Sequence, residues 1–203
     1  MIVQQDVEAP AGMTVIRVED TRYALALASA AYFGYPAEKL HIIGITGTKG
    51  KTTTTYMIKS ILEGVGHKVG LIGTIEAIIE EEVIPAANTT PESYTIHQYF
   101  AKMVEAGCDS VVMEVSSQGL MLHRTAGIPF EIGISQILEK IISDRMNTRI
   151  LKDYKRCKGL LFQQCRLGIA NADDRYFKDV FKNATCKVET FGFCKEADLR
   201  LKM

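Results

Sequence analysis

Residues 44–53 read Gly44-Ile45-Thr46-Gly47-Thr48-Lys49-Gly50-Lys51-Thr52-Thr53, and they directly follow the apolar run His41-Ile42-Ile43. This order predicts a strand, a glycine-rich turn and the first turn of a helix. A backbone without Cβ atoms can wrap closely around phosphate oxygens, with its N–H groups pointing inward. The helix N-terminus adds partial positive charge, Lys51 can reach the outer phosphates, and the Thr52 hydroxyl can hold Mg²⁺. The stretch therefore predicts a site for a nucleoside triphosphate.

This loop differs from the most common phosphate-binding pattern, which has Gly, four residues and then Gly-Lys-Thr. That pattern would place a glycine at position 45, where the chain has Ile45. The glycines fall instead at positions 44, 47 and 50. The alternative is a glycine-rich β-turn that carries lysines by chance. The order of strand, glycines, Lys-Thr pair and helix favours phosphate binding over that alternative.

Composition limits the classes of protein to consider. The chain has 203 residues, 47% hydrophobic and 24% charged, enough for one globular domain and part of another. Its 24 basic and 24 acidic residues balance, which gives no basic field for nucleic acid. The longest apolar helical stretch, Tyr23 to Tyr35, is too short to span a bilayer, so no membrane insertion is expected. Five cysteines without a C-x-x-C pair favour a reduced cytoplasm over a disulfide framework or a zinc site.

Strand-like and helical segments alternate along most of the chain, after strands and turns in residues 1–18. This alternation predicts an α/β fold with a mostly parallel sheet and helices on both faces. Residues 75–87 alternate weakly between apolar and polar, which predicts a hairpin. The predicted helices span residues 21–33, 51–63, 91–106, 152–165 and 173–182, and the predicted strands span residues 41–46, 68–74, 109–115, 167–171 and 187–192.

Glu114 is the first candidate beyond the loop. It lies in Met113-Glu114-Val115-Ser116-Ser117, which closes the buried strand 109–115. Ligands of open α/β sheets bind at the carboxyl ends of the strands, where the phosphate loop also lies. Glu114 is therefore expected to face an Mg²⁺ ion held by Thr52. A glutamate solvated at the rim of the sheet is the alternative.

Three further candidates are less specific. Asn88-Thr89-Thr90-Pro91 precedes a helix, where it can cap the helix and form a turn or can bind an anionic substrate. Arg124 can clamp a phosphate or carboxylate, or can be an ordinary surface arginine. Lys158 lies in a basic run on an amphipathic helix, where a solvated lysine is the default.

Several of these stretches together resemble the Mur ligase family, in particular its UDP-N-acetylmuramyl-tripeptide synthetases. The loop and the Glu-Val-Ser-Ser stretch are highly specific in combination, and the resemblance runs through most of the chain. Residues 20–26 resemble the end of the first domain of that family. The matching stretches are Gly-Ile-Thr-Gly-Thr-Lys-Gly-Lys-Thr-Thr-Thr (44–54), Asn-Thr-Thr-Pro (88–91), Met-Glu-Val-Ser-Ser-Gln-Gly-Leu (113–120), His-Arg (123–124) and Asn-Ala-Asp-Asp (171–174).

The resemblance implies an ATP-dependent ligase of peptidoglycan synthesis. ATP phosphorylates the D-glutamate carboxylate of UDP-MurNAc-L-Ala-D-Glu, the amine of a diamino acid (meso-diaminopimelate) or of L-lysine attacks the acyl phosphate, and phosphate leaves. Leu122 stands where the family often has a glutamine that binds substrate. The implied roles are ATP binding by Gly47, Thr48, Lys49, Gly50, Lys51, Thr52 and Thr53, Mg²⁺ binding by Thr52, Glu114 and a carbamylated Lys158, substrate binding by Asn88, Thr89, Thr90, Ser116 and Arg124, and catalysis by Lys51, Glu114 and Lys158.

The family has three domains, and this chain is expected to contain only parts of them. Residues 1–38 match the end of the UDP-binding domain, residues 39–203 match part of the central ATP-binding domain, and the amino-acid-binding domain is expected to be absent. The chain is therefore expected to be inactive alone, with the missing domain on a separate chain if one supplies it. The alternatives are a non-catalytic ATP-binding module and a folylpolyglutamate-synthase-like ligase. Asn-Thr-Thr-Pro with Glu-Val-Ser-Ser-Gln-Gly favours the muramyl substrate over folate.

Residues 135–151 depart from the family. After Ile134 the family continues with a Thr-Asn…Asp-His…Asn-Glu-His segment, whereas this chain reads Ser-Gln-Ile-Leu-Glu-Lys-Ile-Ile-Ser-Asp-Arg-Met-Asn-Thr-Arg-Ile-Leu. One set of codons for this stretch, read from its third base, encodes Thr-Asn-Leu-Gly-Lys-Asp-His-Ile-Gly-Pro-Asn-Glu-His-Lys-Asn-Phe. We therefore predict two compensating frameshifts, near codons 135 and 151, with the native frame restored at Asp153-Tyr154.

The alternative to the frameshifts is an amphipathic insertion, because the apolar residues of this stretch follow helical spacing. Those residues are Ile134, Ile137, Leu138, Ile141 and Ile142. The DNA sequence of the gene distinguishes the frameshifts from the insertion. An alternate frame that does not encode Asp-His-Ile-Gly-Pro-Asn-Glu-His would contradict the frameshifts.

Overall fold

A computed structural model describes residues 1–137 and 148–202. Within these residues, strands and helices alternate as the sequence predicts. The strands are β1 (Ile2–Val3), β2 (Ile16–Arg17), β3 (His41–Thr46), β4 (Val69–Ile72), β5 (Glu76–Ile79), β6 (Glu82–Pro85), β7 (Ser110–Glu114), β8 (Phe130–Ser135), β9 (Cys165–Asn171), β10 (Lys187–Gly192) and β11 (Leu199–Arg200). The α-helices are α1 (Thr21–Tyr32), α2 (Lys51–Gly64), α3 (Ser93–Glu105), α4 (Ser117–Met121), α5 (Thr148–Gly159) and α6 (Phe177–Val180).

A nine-stranded sheet forms the centre of the fold, in the order β11-β10-β9-β8-β3-β7-β4-β5-β6. Neighbouring strands from β11 to β4 are parallel, and β5 and β6 extend the sheet as an antiparallel hairpin. Ile45 of β3 pairs with Glu114 of β7 on one side and with Ile134 of β8 on the other. The carboxyl ends of three central strands therefore meet at one edge of the sheet.

The sheet has an apolar core on each face. Successive side chains of a strand point to opposite faces, and the neighbours Ile42 and Ile43 of β3 accordingly join different clusters. The cluster of Ile42 contains Phe100 of α3, and the cluster of Ile43 contains Ile58 of α2. Helices thus cover both faces, and the predicted α/β class is confirmed.

Of the first forty residues, helix α1 and the turn at Pro36–Lys39 pack against this body. β1 and β2 form a separate parallel pair. Asp20 caps α1, because its carboxylate accepts hydrogen bonds from the N–H groups of Arg22 and Tyr23 at 2.8 and 2.9 Å. Helix α1 then packs against α3. The assignment of residues 1–38 to one domain and 39–203 to another stays a prediction.

Some predicted elements differ from the observed ones. The helix predicted over residues 173–182 is shortened to α6, because Asn171 and Asp174 accept hydrogen bonds from the backbone N–H groups of Asp173 and Tyr176 and hold this stretch as turns. The helix predicted over residues 152–165 comprises the end of α5 and a 3₁₀ turn at Leu160–Gln163. The predicted hairpin is present as β5 and β6.

Three elements, β8, β11 and α4, were not among the predicted ones. In the described part of the chain, no helix has the length and apolar character needed to cross a bilayer. Residues 138–147, the centre of the predicted frameshifted segment, lie outside the described residues.

Candidate functional site

The glycine-rich loop joins β3 to α2 at the carboxyl edge of the sheet. Gly50, just before α2, has a φ of 83°, in the left-handed region that favours glycine. A Cβ atom on Gly47 would lie 2.6 Å from Cβ of Gln136, so only glycine fits there without displacement. The Lys51 ammonium folds back over the loop and donates to the Gly47 carbonyl oxygen at 3.2 Å. The loop is therefore packed closely against Gln136 at Gly47, and its binding of phosphate stays a prediction.

Glu114 lies beside this loop. The Thr52 hydroxyl donates to Oε1 of Glu114 at 2.8 Å, so the predicted proximity of Thr52 and Glu114 is observed. The backbone N–H of Thr74 donates to the same oxygen at 2.9 Å, and the Thr74 hydroxyl donates to Oε2 at 2.9 Å. Glu114 is only 1% exposed, so it is not a solvated glutamate at the rim of the sheet.

The Thr52–Glu114 pair fits a small divalent cation. Hydroxyl and carboxylate oxygens are the ligand types that Mg²⁺ prefers. The three donors to Glu114 named above are all neutral groups, and a buried carboxylate is costly unless a positive charge compensates it. A metal ion held by Thr52 and Glu114 would supply that charge.

Lys158 reaches the loop from α5. It is 1% exposed, and its Nζ atom donates to the Gly47 carbonyl oxygen at 2.8 Å and lies 3.4 Å from the Thr46 hydroxyl. The ring of Tyr154 lies 4.5 Å from the same nitrogen. Burial, followed by the nearby charge of Lys51, lowers the pKa of Lys158 to about 7. Lys158 is thus not a solvated lysine, and part of its population is an uncharged amine at neutral pH.

The residues that follow β8 also contact the loop. The backbone N–H of Gln136 donates to the Thr46 carbonyl oxygen at 2.8 Å, and its side-chain amide donates to the Thr54 hydroxyl at 2.8 Å. The N–H of Thr48 donates to the Ile137 carbonyl oxygen at 3.1 Å. The beginning of the segment that departs from the family therefore lies directly on the phosphate loop.

Three of the predicted substrate-binding residues, Thr90, Ser116 and Arg124, share one network at the same edge. The buried Thr90 hydroxyl donates to the Glu114 carbonyl oxygen at 3.0 Å and accepts from the Ser116 N–H at 2.9 Å. Ser116 caps α4 by accepting from the N–H of Gly119. Asn88 lines an adjacent cavity of about 150 Å³. The Thr90 hydroxyl and the Ser116 Oγ are thus engaged inside the fold, and their contacts with substrate stay predictions.

Arg124 is buried rather than on the surface. Its Nη1 donates to the Thr90 carbonyl oxygen at 2.8 Å, and its Nη2 lies 2.5 Å from Oε1 of Glu92. The guanidinium therefore holds the loop of residues 88–91 in place. Glu92 is half exposed and already occupies this outer nitrogen, so contact of Arg124 with a substrate anion stays a prediction.

Sequence reasoning missed Thr74, Glu92 and Gln136. Thr74 follows β4 within Gly73-Thr74, and its position at the end of a predicted strand was a usable signal. Glu92 and Gln136 carried no such signal, because their roles depend on which residues the tertiary fold places opposite them. A Cβ atom on Gly73 would lie 2.9 Å from Oε1 of Glu114, which accounts for the glycine there.

Comparison with known proteins identifies the family of this chain. Residues 45–203 match the Mur ligase middle domain family. The UDP-N-acetylmuramoyl-L-alanyl-D-glutamate–2,6-diaminopimelate ligase of Clostridium perfringens is 46% identical over 205 residues, an alignment that covers 98% of this chain and 42% of that protein. The chain thus spans about two fifths of the length of the curated relatives it matches.

Solved structures show the same fold. A UDP-N-acetylmuramoyl-L-alanyl-D-glutamate–2,6-diaminopimelate ligase superposes with a TM-score of 0.80 at 23% identity, over 97% of this chain and 41% of that one. Folylpolyglutamate synthase of Mycobacterium tuberculosis, solved with ADP and AMPPCP, has a TM-score of 0.63 at 15% identity, over 84% of this chain and 46% of that one. Because the match to the family covers most of its length, this chain belongs to the Mur ligase family.

Proposed function

We propose that this chain holds the ATP and the carboxylate substrate of an amide-forming ligase, one that adds diaminopimelate to UDP-MurNAc-L-Ala-D-Glu in the cytoplasm. The observation that carries the proposal is the convergence of the phosphate loop, Glu114 and Lys158 at one edge of the sheet. The diaminopimelate ligases among its relatives support this substrate over folate.

In this proposal, residues 47–53 hold the triphosphate. Backbone N–H groups of the loop and the N-terminus of α2 face the phosphate oxygens, and Lys51 moves from the Gly47 carbonyl oxygen to the outer phosphates. Such a site works by positioning and by charge compensation, because phosphoryl transfer needs little covalent chemistry from the protein.

Thr52 and Glu114 would hold Mg²⁺, and this pairing is proposed from the position of their oxygens. When bound, Mg²⁺ neutralises charge on the phosphate oxygens as the phosphoryl group moves to the D-glutamate carboxylate. The chain itself keeps Glu114 buried and oriented, with its carboxylate held by Thr74 on the side of β4.

Lys158 is proposed to act as a carbamate. As an ammonium group it has only donors and no lone pair for a metal ion. A pKa of about 7 leaves a neutral amine that can add to carbon dioxide at physiological pH, which yields an anionic carbamate and releases a proton. In that form Lys158 could serve as a ligand for a second Mg²⁺ beside Gly47.

The donor substrate is proposed to lie along residues 88–91, Ser116 and Arg124. Of these, Thr89, Thr90, Ser116 and Arg124 share one hydrogen-bond network, and Thr90 bonds to the carbonyl oxygen of Glu114 itself. A carboxylate bound there lies next to the proposed metal site. The acyl phosphate would then react with the amine of diaminopimelate, so that an amide bond forms and phosphate leaves.

Binding and turnover of the purified chain test this proposal. We expect it to bind Mg·ATP and UDP-MurNAc-L-Ala-D-Glu in calorimetry and to bind dihydrofolate far more weakly. Phosphate release that requires ATP, the muramyl dipeptide and diaminopimelate together would place the whole reaction on this chain. Binding of ATP without the muramyl dipeptide would favour a non-catalytic nucleotide-binding module, and preference for the folate would overturn the proposed substrate.

A further inference from the structure

Thr74 lies between the two halves of the site. Its backbone N–H and its hydroxyl donate to different oxygens of Glu114, each at 2.9 Å, and its hydroxyl lies 3.1 Å from the hydroxyl of Thr89. We propose that Thr74 is a positioning residue that orients Glu114 toward Mg²⁺ and links it to the substrate loop. This inference rests on the proposed nucleotide site and goes beyond it.

Donor and acceptor rules fix the direction of the link. A threonine hydroxyl has one hydrogen and two lone pairs, and an ionised carboxylate only accepts. The hydrogen of the Thr74 hydroxyl therefore goes to Glu114, and the same oxygen is left to accept from Thr89. The resulting chain runs from Thr89 through Thr74 to Oε2 of Glu114.

Thr74 itself is exposed, and it is the contacts around the buried Glu114 that hold this arrangement. Gly73 lies so close to Glu114 that a Cβ atom there would lie 2.9 Å from Oε1, and the N–H of Gly73 donates to the Glu76 carbonyl oxygen at 3.0 Å. Glu114 is thus fixed at one oxygen by Thr52 and the Thr74 N–H and at the other by the Thr74 hydroxyl. Without the hydroxyl, the carboxylate keeps its place and loses the bond that sets its rotation.

This role predicts an effect on metal-dependent binding alone. Partners that orient a metal ligand typically contribute about 10- to 100-fold to metal affinity. We expect Thr74→Val, which keeps the shape and the backbone N–H, to weaken binding of Mg·ADP about tenfold. Binding of ADP in EDTA should stay unchanged, because the phosphate loop is untouched. Thr74→Ser restores the hydroxyl and should restore the affinity.

The link to Thr89 is tested by a double-mutant cycle. Thr89→Val should weaken binding of Mg·ADP in the wild-type background and have no further effect in Thr74→Val, because coupled residues are not additive. Thr190→Val is the matched control, since the Thr190 N–H and hydroxyl likewise donate to one carboxylate, that of Asp198, which is not part of the proposed site. That control should bind Mg·ADP as the wild type does.

Calorimetry with ADP in Mg²⁺ and in EDTA separates the outcomes. Equal losses in both buffers for Thr74→Val, or no loss in either, would overturn the role of Thr74 while leaving the nucleotide site intact. Additive effects of Thr74→Val and Thr89→Val would overturn the link. If Thr74→Val does not fold, the Mg²⁺-specific loss in Thr89→Val decides the question. A wild-type chain that binds no nucleotide would contradict the proposed function and, with it, this role.

Discussion

Lys158 and Arg124 are both buried cationic side chains at the carboxyl edge of the sheet, yet their surroundings differ. Arg124 has an anionic partner in Glu92 and a carbonyl partner in Thr90. Lys158 has the Gly47 carbonyl oxygen and the face of Tyr154, with a second ammonium group, Lys51, nearby. The first arrangement stabilises a charge, and the second disfavours one.

This difference separates a structural cation from a reactive one. A buried guanidinium with a carboxylate and a carbonyl stays charged and fixes the backbone around it. A buried amine without an anion has a lowered pKa and becomes a nucleophile at neutral pH. We therefore expect the two residues to respond in opposite ways to removal of the charge.

The largest effect is expected for Lys158. Its pKa is about 7 in the folded chain against 10.5 for a free lysine, so the unfolded chain binds an extra proton between these values. The free energy of unfolding should therefore rise as pH rises from about 7 toward 10, by up to about 4–5 kcal/mol. The measurement is urea unfolding at each pH in buffer free of carbon dioxide.

Lys158→Met provides the control for that profile. It removes the titrating amine, and Lys51 still donates to the Gly47 carbonyl oxygen. The variant should be at least as stable as the wild type at pH 7, and the difference between the two should shrink as pH rises. A difference that does not change with pH would show that Lys158 keeps an ordinary pKa.

His97 extends the comparison to a buried ring. It is 1% exposed, neither ring nitrogen has a hydrogen-bond partner among the described residues, and burial lowers its pKa to about 4. The unfolded chain binds a proton below pH 6.5 while the folded chain does not. The free energy of unfolding should therefore fall by about 3 kcal/mol as pH drops from 6.5 to 4.

His97→Leu should remove this decrease in the free energy of unfolding at acid pH. It should not destabilise the chain at pH 7, because it deletes two buried nitrogens that have no hydrogen-bond partner among the described residues. Unfolding of both proteins between pH 4 and 7 provides the comparison. Parallel profiles would mean that His97 is hydrated or paired in solution.

Arg124→Met should destabilise the chain. It breaks the hydrogen bond to the Thr90 carbonyl oxygen and removes the buried partner of Glu92, at a cost of about 2–3 kcal/mol in the free energy of unfolding. The loss should be constant between pH 6 and 9, unlike the effect at Lys158. A variant as stable as the wild type in urea would show that the contacts of Arg124 with Thr90 and Glu92 do not stabilise the fold.

The smallest effect is expected for Arg22, which lies 3.8 Å from Glu92 on the exposed side of the same carboxylate. Both side chains are about half exposed, so this pair should contribute less than about 0.5 kcal/mol to the free energy of unfolding. Arg22→Gln should thus unfold near the wild-type urea midpoint. A loss as large as that of Arg124→Met would show that Glu92 acts mainly through Arg22.

Most of the predictions that the structure confirms came from local sequence patterns. The run from β3 through the glycine loop to α2, the hairpin, and the proximity of Thr52 and Glu114 all follow from adjacent residues or from the rule that parallel strands end at one edge. Burial of Lys158 did not follow from its own segment, because a basic run on an amphipathic helix usually faces water.

The contacts of Thr74 and Gln136 were missed because they depend on the tertiary fold. Thr74 acts through a carboxylate forty residues later, and Gln136 acts through a loop ninety residues earlier. Neither partner is visible in the local sequence. The predicted frameshifts at residues 135–151 fall mostly outside the described residues, and the DNA sequence remains their test.

Titration of the chain with ATP tests the central claim most directly, namely that residues 47–53 and Glu114 form one Mg·nucleotide site. We predict that the wild type binds ATP and that Mg²⁺ strengthens the binding. Lys51→Met should weaken binding with and without Mg²⁺, and Glu114→Gln should abolish only the gain from Mg²⁺. Absence of ATP binding by the folded wild type, or binding that neither variant changes, would contradict the claim.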